Sequence, residues 1–341
     1  MNKIIGNPSE IVQDMIEGYL YLYGKQFKQV KNENQEIIKY GFVKRNQQEK
    51  VSIIIGGGAG NEPWSIGYVG DGMADGVISG NVYAAPSAIS IYDISKQLYH
   101  KKGILYIGTN HMGDRLNFEL ARELLENDKD QSIETRCLFI RDDIASDLEN
   151  QDNRRGVAGI CFAVKIAGAA AELGCSLQEC TEITKKAMDN IRTISVTTSS
   201  GYMPVTKKAM CELEEGMIEY GMGFNGEPGI KKEKLGTAKH IVNTMMDLLL
   251  NDIKITMEDE VVLFINGLGG TSKLELFIVI KELKRYLENK KIKVYHMEQK
   301  DMFCPQETGG FSITIMKLDK ELKKYYNYPV NTPLYYREKI E

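Results

Sequence analysis

A basic excess is missing from this chain. Its 341 residues carry 43 Lys and Arg against 47 Asp and Glu, a net charge of −4, with a pI near 5.8. That balance argues against direct nucleic-acid binding, which leaves a basic footprint. The paired lysines Lys185-Lys186, Lys231-Lys232 and Lys323-Lys324 are interspersed with acids and are expected on solvated helix faces. No apolar run approaches the length of about 20 residues that a membrane-spanning helix needs. The opening MNKIIGNPSE has no long apolar core and no small-residue cleavage site, so no secretory signal is expected. The six cysteines, Cys137, Cys161, Cys175, Cys180, Cys211 and Cys304, include no C-x-x-C pair. Cys161 sits among apolar neighbours as a core residue, and Cys175 with Cys180 has no His or further Cys close in sequence to complete a metal site. A reduced, cytoplasmic chain that holds no metal and contacts no membrane is the expectation.

Nucleotide signatures are absent too. Gly267-Leu268-Gly269-Gly270-Thr271-Ser272-Lys273 superficially resembles a phosphate-binding loop but lacks a second glycine directly before the lysine. The first glycine run is crowded as GGGAG, which is not the spaced G-x-G-x-x-G of dinucleotide sites. No ATP site is expected.

What the chain has is glycine in particular places. With 32 glycines and 43% hydrophobic residues, its composition is that of a soluble α/β protein, and its length suffices for two domains. Two loops stand out: Gly56-Gly57-Gly58-Ala59-Gly60-Asn61-Glu62-Pro63 after the apolar run Val51–Ile55, and Gly221-Met222-Gly223-Phe224-Asn225-Gly226-Glu227-Pro228-Gly229 after Met217–Tyr220. Each concentrates glycines where the backbone turns sharply, then stiffens its exit with proline. Glycine loops at the carboxyl ends of strands are where open α/β sheets bind small ligands, so one site built from two parts of the chain is expected.

Periodicity predicts alternating elements. Helices are expected over 11–20, 114–126, 156–173, 176–191, 237–250 and 273–287, and strands over 51–55, 104–107, 135–140, 194–198, 217–220, 261–265, 293–297 and 311–315. The 156–173 helix is apolar almost all round and should be buried. Such alternation predicts largely parallel or mixed sheets covered by helices. From the residues alone, Asp114 reads as a helix N-cap. His111, three residues earlier, could reach the same place; His100, His240 and His296 read as structural.

Several of these stretches together carry a resemblance. GGGAGNEPWSIGYVGDGMADGVISGNVYAAPSA, NHMGDRLNF, RRGVAGICFAVKIAGAAAELG, GMGFNGEPGIKKEKL, NGLGGTSKLEL and GGFSITIMKLD occur in the same order in the dihydroxyacetone-binding (K) subunits of dihydroxyacetone kinases, which this chain resembles over nearly its whole length. The resemblance implies two α/β domains, one spanning residues 1–195 and rejoined by a segment from about 318 to 341, the other spanning 196–317. It implies a homodimer that binds a small ketose or polyol, with the phosphoryl donor on a separate subunit and no cofactor in this chain. Asp114 becomes the general base, and the substrate-binding positions become Gly57, Gly58, Gly60, Asn61, Thr109 and Asn225.

The chain departs from the family pattern at chosen points. Asn61 and Asn225 each stand where the family has His, and Thr109 stands where a lysine is common. The family's His at the Asn225 position attacks the ketone and holds it as a covalent hemiaminal; an amide nitrogen is not nucleophilic, so Asn225 is expected to hydrogen-bond a ligand without the covalent bond. Residues 300–308 also differ from the family's G-N-x-M-T-S-L-E-M-type loop. The family includes coactivators of DNA-binding proteins, so a ligand-sensing partner of a transcription regulator is the alternative reading.

Overall fold

The computed structural model describes residues 2–341. In chain order the elements are α1 (Ile11–Tyr23), β1 (Phe27–Lys28), β2 (Gly41–Lys44), β3 (Ser52–Ala59), β4 (Gly76–Val82), α2 (Ala88–Leu98), β5 (Ile104–Thr109), α3 (Met112–Glu126), β6 (Thr135–Ile140), α4 (Ile160–Glu172) and α5 (Leu177–Asp189). There follow β7 (Ile191–Ser199), β8 (Met217–Tyr220), β9 (Lys231–Lys234), α6 (Ala238–Asp252), β10 (Glu260–Gly267), α7 (Lys273–Lys290), β11 (Lys293–Gln299), β12 (Gly309–Leu318), α8 (Lys320–Tyr326), β13 (Val330–Asn331) and β14 (Tyr336–Arg337).

These elements form two compact units, one of residues 2–140, 161–187 and 324–341, the other of 141–160 and 188–323. The division drawn from sequence at 195 and 318 therefore shifts, and residues 141–160 change sides. Their hydrogen bonds explain the change. The Asp142 carboxylate accepts the backbone N–H groups of Val157 and Gly159, both at 2.8 Å, and Ile144 N–H donates to Thr193 at the start of β7.

The first unit holds a six-stranded sheet in the order β1-β2-β4-β3-β5-β6. β4, β3, β5 and β6 run parallel, and β2 and β1 are antiparallel additions at one edge. β3 is central, and Ile53, Ile54 and Ile55 are all fully buried, as a strand covered on both faces requires. α1 buries Val12, Ile16 and Tyr19 at helical spacing. α4 is buried from Ile160 to Ala171, as its all-round apolarity demands, and its single lysine, Lys165, donates to the Tyr325 carbonyl at 2.8 Å. The strands β13 and β14 join the same unit; Asp71 and Asn331 exchange backbone hydrogen bonds.

The second unit has a mixed sheet, within the expectation of largely parallel or mixed sheets. Its order is β11-β10-β12-β7-β8-β9, and only β10 with β11 is parallel; the other four pairings are antiparallel. One face of this sheet, with Ile194, Val196, Leu263, Ile265, Ile313 and Ile315, packs with α6 and α7 in a single core. Lys231-Lys232 lies on the edge strand β9 rather than on a helix; charged edge strands resist pairing with other chains.

Candidate functional site

The first unit gathers the sequence candidates at a switch point. β3 and β5 are adjacent and parallel, yet the chain leaves β3 for β4 on one side and β5 for β6 on the other. Open α/β sheets hold ligands in the crevice that such divergence opens beyond the strand ends. The end of β3 supplies Gly57, Gly58, Gly60 and Asn61; the end of β5 supplies Thr109 and His111, with Asp114 in the first turn of α3.

Asp114 is not the N-cap. His111 occupies that position, and Asp114 lies inside the helix with its Oδ2 accepting the Thr109 hydroxyl at 2.8 Å. His111 Nδ1 is 2.9 Å from the same hydroxyl oxygen. Asp114 is 4% exposed. Burial pushes its carboxyl up to about 6, against the lowering effects of the Thr109 hydrogen bond and of His111. The amino end of α3 offers a favourable field for the ionised form.

The glycines divide by what surrounds them. A Cβ on Gly58 would stand 2.8 Å from the Ala84 nitrogen, so Gly58 is required by the backbone beside it. Gly60 has φ +108, donates its N–H to Glu62 Oε1 at 2.8 Å and accepts the Tyr83 hydroxyl at 3.1 Å, so its polar groups are bonded within the loop. Gly57 differs: a Cβ there would meet Trp64 Nε1 at 3.2 Å and Asp114 Oδ2 at 3.6 Å. Its nearest neighbours are side chains, Trp64 and the candidate base, rather than backbone. Asn61 is buried, and its carbonyl accepts the Trp64 N–H.

This geometry makes Gly57→Ala informative. The added methyl clashes with no backbone atom, so the melting temperature should move by no more than about 2 °C, roughly the shift of a sub-kcal/mol change in a chain this long. It crowds the Trp64 and Asp114 side chains, so affinity for a small hydroxylated ligand at this junction should fall at least about tenfold, one displaced contact being worth on the order of 1.4 kcal/mol. Trp64 is the chain's single tryptophan and is buried beside Gly57, which makes its fluorescence the natural titration signal. Unchanged affinity in a folded Gly57→Ala protein would remove Gly57 from the site.

Asn225 lies in the second unit. Its backbone N–H donates to Glu227 Oε2 at 3.0 Å and its Nδ2 to Oε1 at 3.3 Å, while Gly223 N–H bonds the Glu227 carbonyl. Arg155 approaches Glu227 Oε2 at 3.9 Å and donates to Asp143. Phe224 packs its ring 5.1 Å from that of Phe303, in the divergent 300–308 segment. That segment is pinned by Asn266, whose Oδ1 accepts the N–H groups of Met302 and Phe303 at 2.8 and 2.9 Å. Sequence reasoning missed this role of Asn266. The loop also reads G-x-G-x-x-G from Gly221 to Gly226, but the antiparallel strand β9 follows it, so no helix amino terminus faces a pyrophosphate.

Both loops are locked alike: a glutamate ahead of proline accepts the N–H two residues upstream, Glu62 from Gly60 and Glu227 from Asn225. The repeated Asn-(Gly)-Glu-Pro was visible in sequence, its use was not. Near Gly267–Lys273, the Leu268 and Gly270 N–H groups bond Gly310 and Thr308, Ser272 and Glu275 close a capping box, and Lys273 pairs with Asp301 at 2.5 Å. His100, His240 and His296 contact Gln47, Glu233 and Glu298. Among the described residues no cluster of His, Cys, Asp and Glu could hold a metal ion, and no helix is long and apolar enough to cross a membrane.

Comparison with known proteins adds an independent line. The Dak1 domain family matches residues 17–334. The chain is 34% identical over 335 residues to the dihydroxyacetone-binding subunit of PTS-dependent dihydroxyacetone kinase 2 from Listeria innocua serovar 6a, covering 98% of this chain and 99% of that one. Among solved structures, the dihydroxyacetone kinase of C. freundii superposes with a TM-score of 0.89 at 28% identity, over 99% of this chain and 61% of that chain. A dihydroxyacetone kinase operon co-activator superposes at 0.84 and 27% identity, over 93% of this chain and 96% of that one.

Proposed function

This chain belongs to the Dak1 domain family, whose members include kinase subunits, and on that footing we propose that it is the acceptor-binding subunit of a phosphotransferase. It binds a small ketose or polyol without a covalent bond and presents a hydroxyl to a phosphoryl donor carried by a separate chain. Asp114 takes the hydroxyl proton as the substrate oxygen attacks phosphorus and the bond from phosphorus to the donor breaks. The observation that carries this reading is the buried Asp114 carboxylate, held through Oδ2 by the Thr109 hydroxyl at the strand-to-helix junction where β5 meets α3. A basicity near neutrality suits a general base working at pH 7. Phosphoryl transfer asks mainly for position and charge stabilisation, roles that suit the amide at Asn61 and the fixed Asp114 carboxylate. The same proposal takes the chain as a cytoplasmic homodimer.

Non-covalent binding is directly testable. After incubation with dihydroxyacetone and borohydride, intact-mass spectrometry should show no added mass. A stable adduct mapped to the peptide containing Asn225 would overturn the reading.

A second reading has its own support. An amide at Asn225 is not nucleophilic, and a co-activator superposes on the chain. In that case the chain senses a ligand and signals to a transcription regulator, and Asp114 serves affinity alone. Turnover with a cognate donor subunit separates the two.

A further inference from the structure

We infer that Thr109 and His111 form a hydrogen-bonded chain that orients Asp114 and sets its proton affinity, with Thr109 the coupling hydroxyl and His111 a positioning residue. The inference rests on the reading of Asp114 as the base. A threonine hydroxyl has one hydrogen to give. An ionised carboxylate only accepts, so that hydrogen points at Asp114 Oδ2, 2.8 Å away. The Thr109 oxygen then presents a lone pair to His111 Nδ1 at 2.9 Å, which fixes Nδ1 as the N–H nitrogen.

The order is therefore His111 N–H to Thr109 oxygen, and Thr109 O–H to Asp114 Oδ2. Thr109 is the one side chain bonded to that carboxylate among the described residues. The bond takes Oδ2 and leaves Oδ1 as the oxygen that receives the substrate proton. The backbone supports the chain. Thr109 ends β5, His111 caps α3 and Asp114 sits in its first turn, so all three are held by one strand-to-helix junction. Bonds in series polarise one another, so an N–H on Thr109 strengthens the O–H bond to Asp114. The Thr109 hydroxyl thus passes on the influence of the neighbouring imidazole.

The test needs neither donor nor turnover, so its failure is distinct from failure of the kinase reading. The Asp114 carboxyl carbon is followed by 13C NMR across pH in the intact protein and its variants. Thr109→Val, which keeps the shape and removes the hydroxyl, should raise the Asp114 midpoint by about one unit, the loss of one hydrogen bond to a charged group. Thr109→Ser should restore it and also serves if the valine variant folds poorly. His111→Ala should raise the midpoint in the wild-type background but not on top of Thr109→Val. Equal effects of His111→Ala in both backgrounds would show that His111 acts through space and would overturn the inference. So would a folded Thr109→Val protein with an unmoved midpoint. With a donor present, His111→Ala should lower kcat while leaving KM near wild type; a change confined to KM contradicts a positioning role.

Discussion

Asp114→Asn should all but abolish turnover while making the folded chain more stable at neutral pH. The amide keeps the shape and still accepts the Thr109 hydroxyl, but it cannot take a proton. General-base catalysis is worth about 10²–10⁴ in rate, so kcat with a cognate donor subunit should drop by that order with ligand affinity changed little. Wild-type activity should decline as pH falls through about 6, where the carboxylate is lost. Stability moves the other way. The folded pKa is raised above the ordinary value of 3.8, so the native state holds the proton more tightly than the unfolded chain does. The cost of ionising Asp114 grows as pH rises from the ordinary carboxylate range to about 6 and is complete above it. Removing the charge should therefore stabilise the protein at pH 8 by about 1–3 kcal/mol and give no gain below pH 4. Urea unfolding at both pH values reads this directly. Equal stability at pH 8 would mean that the buried carboxylate carries no such cost, and full turnover would mean that another group is the base.

The second large effect lies away from the ligand. Arg154 is 1% exposed, donates to Asp252 through both terminal nitrogens and gives its Nε–H to the Asp147 carbonyl at 2.8 Å. Arg192 bonds the same Asp252. Burial tends to raise the Asp252 carboxyl, but the two arginines prevail and hold it below its ordinary value. Arg154→Met should cost about 3 kcal/mol, because breaking a buried pair strands the remaining charge. Arg192 still faces Asp252, which keeps the figure from the top of the range for such pairs. A carboxyl with a lowered folded pKa contributes stability above the ordinary value and loses it as pH falls through the folded one. The deficit of Arg154→Met should therefore narrow below about pH 4, the ordinary carboxylate value. A loss under about 1 kcal/mol at pH 7, the range typical of exposed pairs, would show that the triad behaves as a surface contact.

Legibility in the sequence followed burial pattern. Strongly apolar or periodic stretches such as 104–107, 135–140 and 273–287 named their elements because their own residues bury one face or both. β9 was invisible: Lys231-Lys232-Glu233-Lys234 has no apolar residue, and pairing with β8 alone makes it a strand. β4 was hidden by its two glycines. α2 had a readable signal in Ile91, Ile94 and Leu98 behind the cap Ser87, masked by its share of β-branched and polar residues. The domain boundary failed where long-range bonds decide it, since nothing local tells Asp142 to seek Val157 and Gly159.

At the site, residue types were legible and their bonding was not. Asp114, Thr109 and His111 were picked out from one short segment, but which of them caps the helix and which bridges depends on where β5 stops and α3 begins. The glycines looked alike in sequence. Only their neighbours separate Gly57, against the Trp64 and Asp114 side chains, from Gly58, pressed on the Ala84 backbone, and from Gly60, closed by Glu62 and Tyr83.

The central claim is that this chain presents an acceptor hydroxyl for phosphoryl transfer. It is tested by 31P NMR of the purified chain mixed with a cognate donor subunit, its phosphoryl source, and a panel of dihydroxyacetone, erythrulose and glycerol. The account predicts a new phosphate-ester resonance with at least one acceptor, absent when the chain is omitted and absent with Asp114→Asn. Failure of every acceptor to be phosphorylated, while Trp64 fluorescence shows that one of them binds, would contradict it and leave the sensor reading in its place.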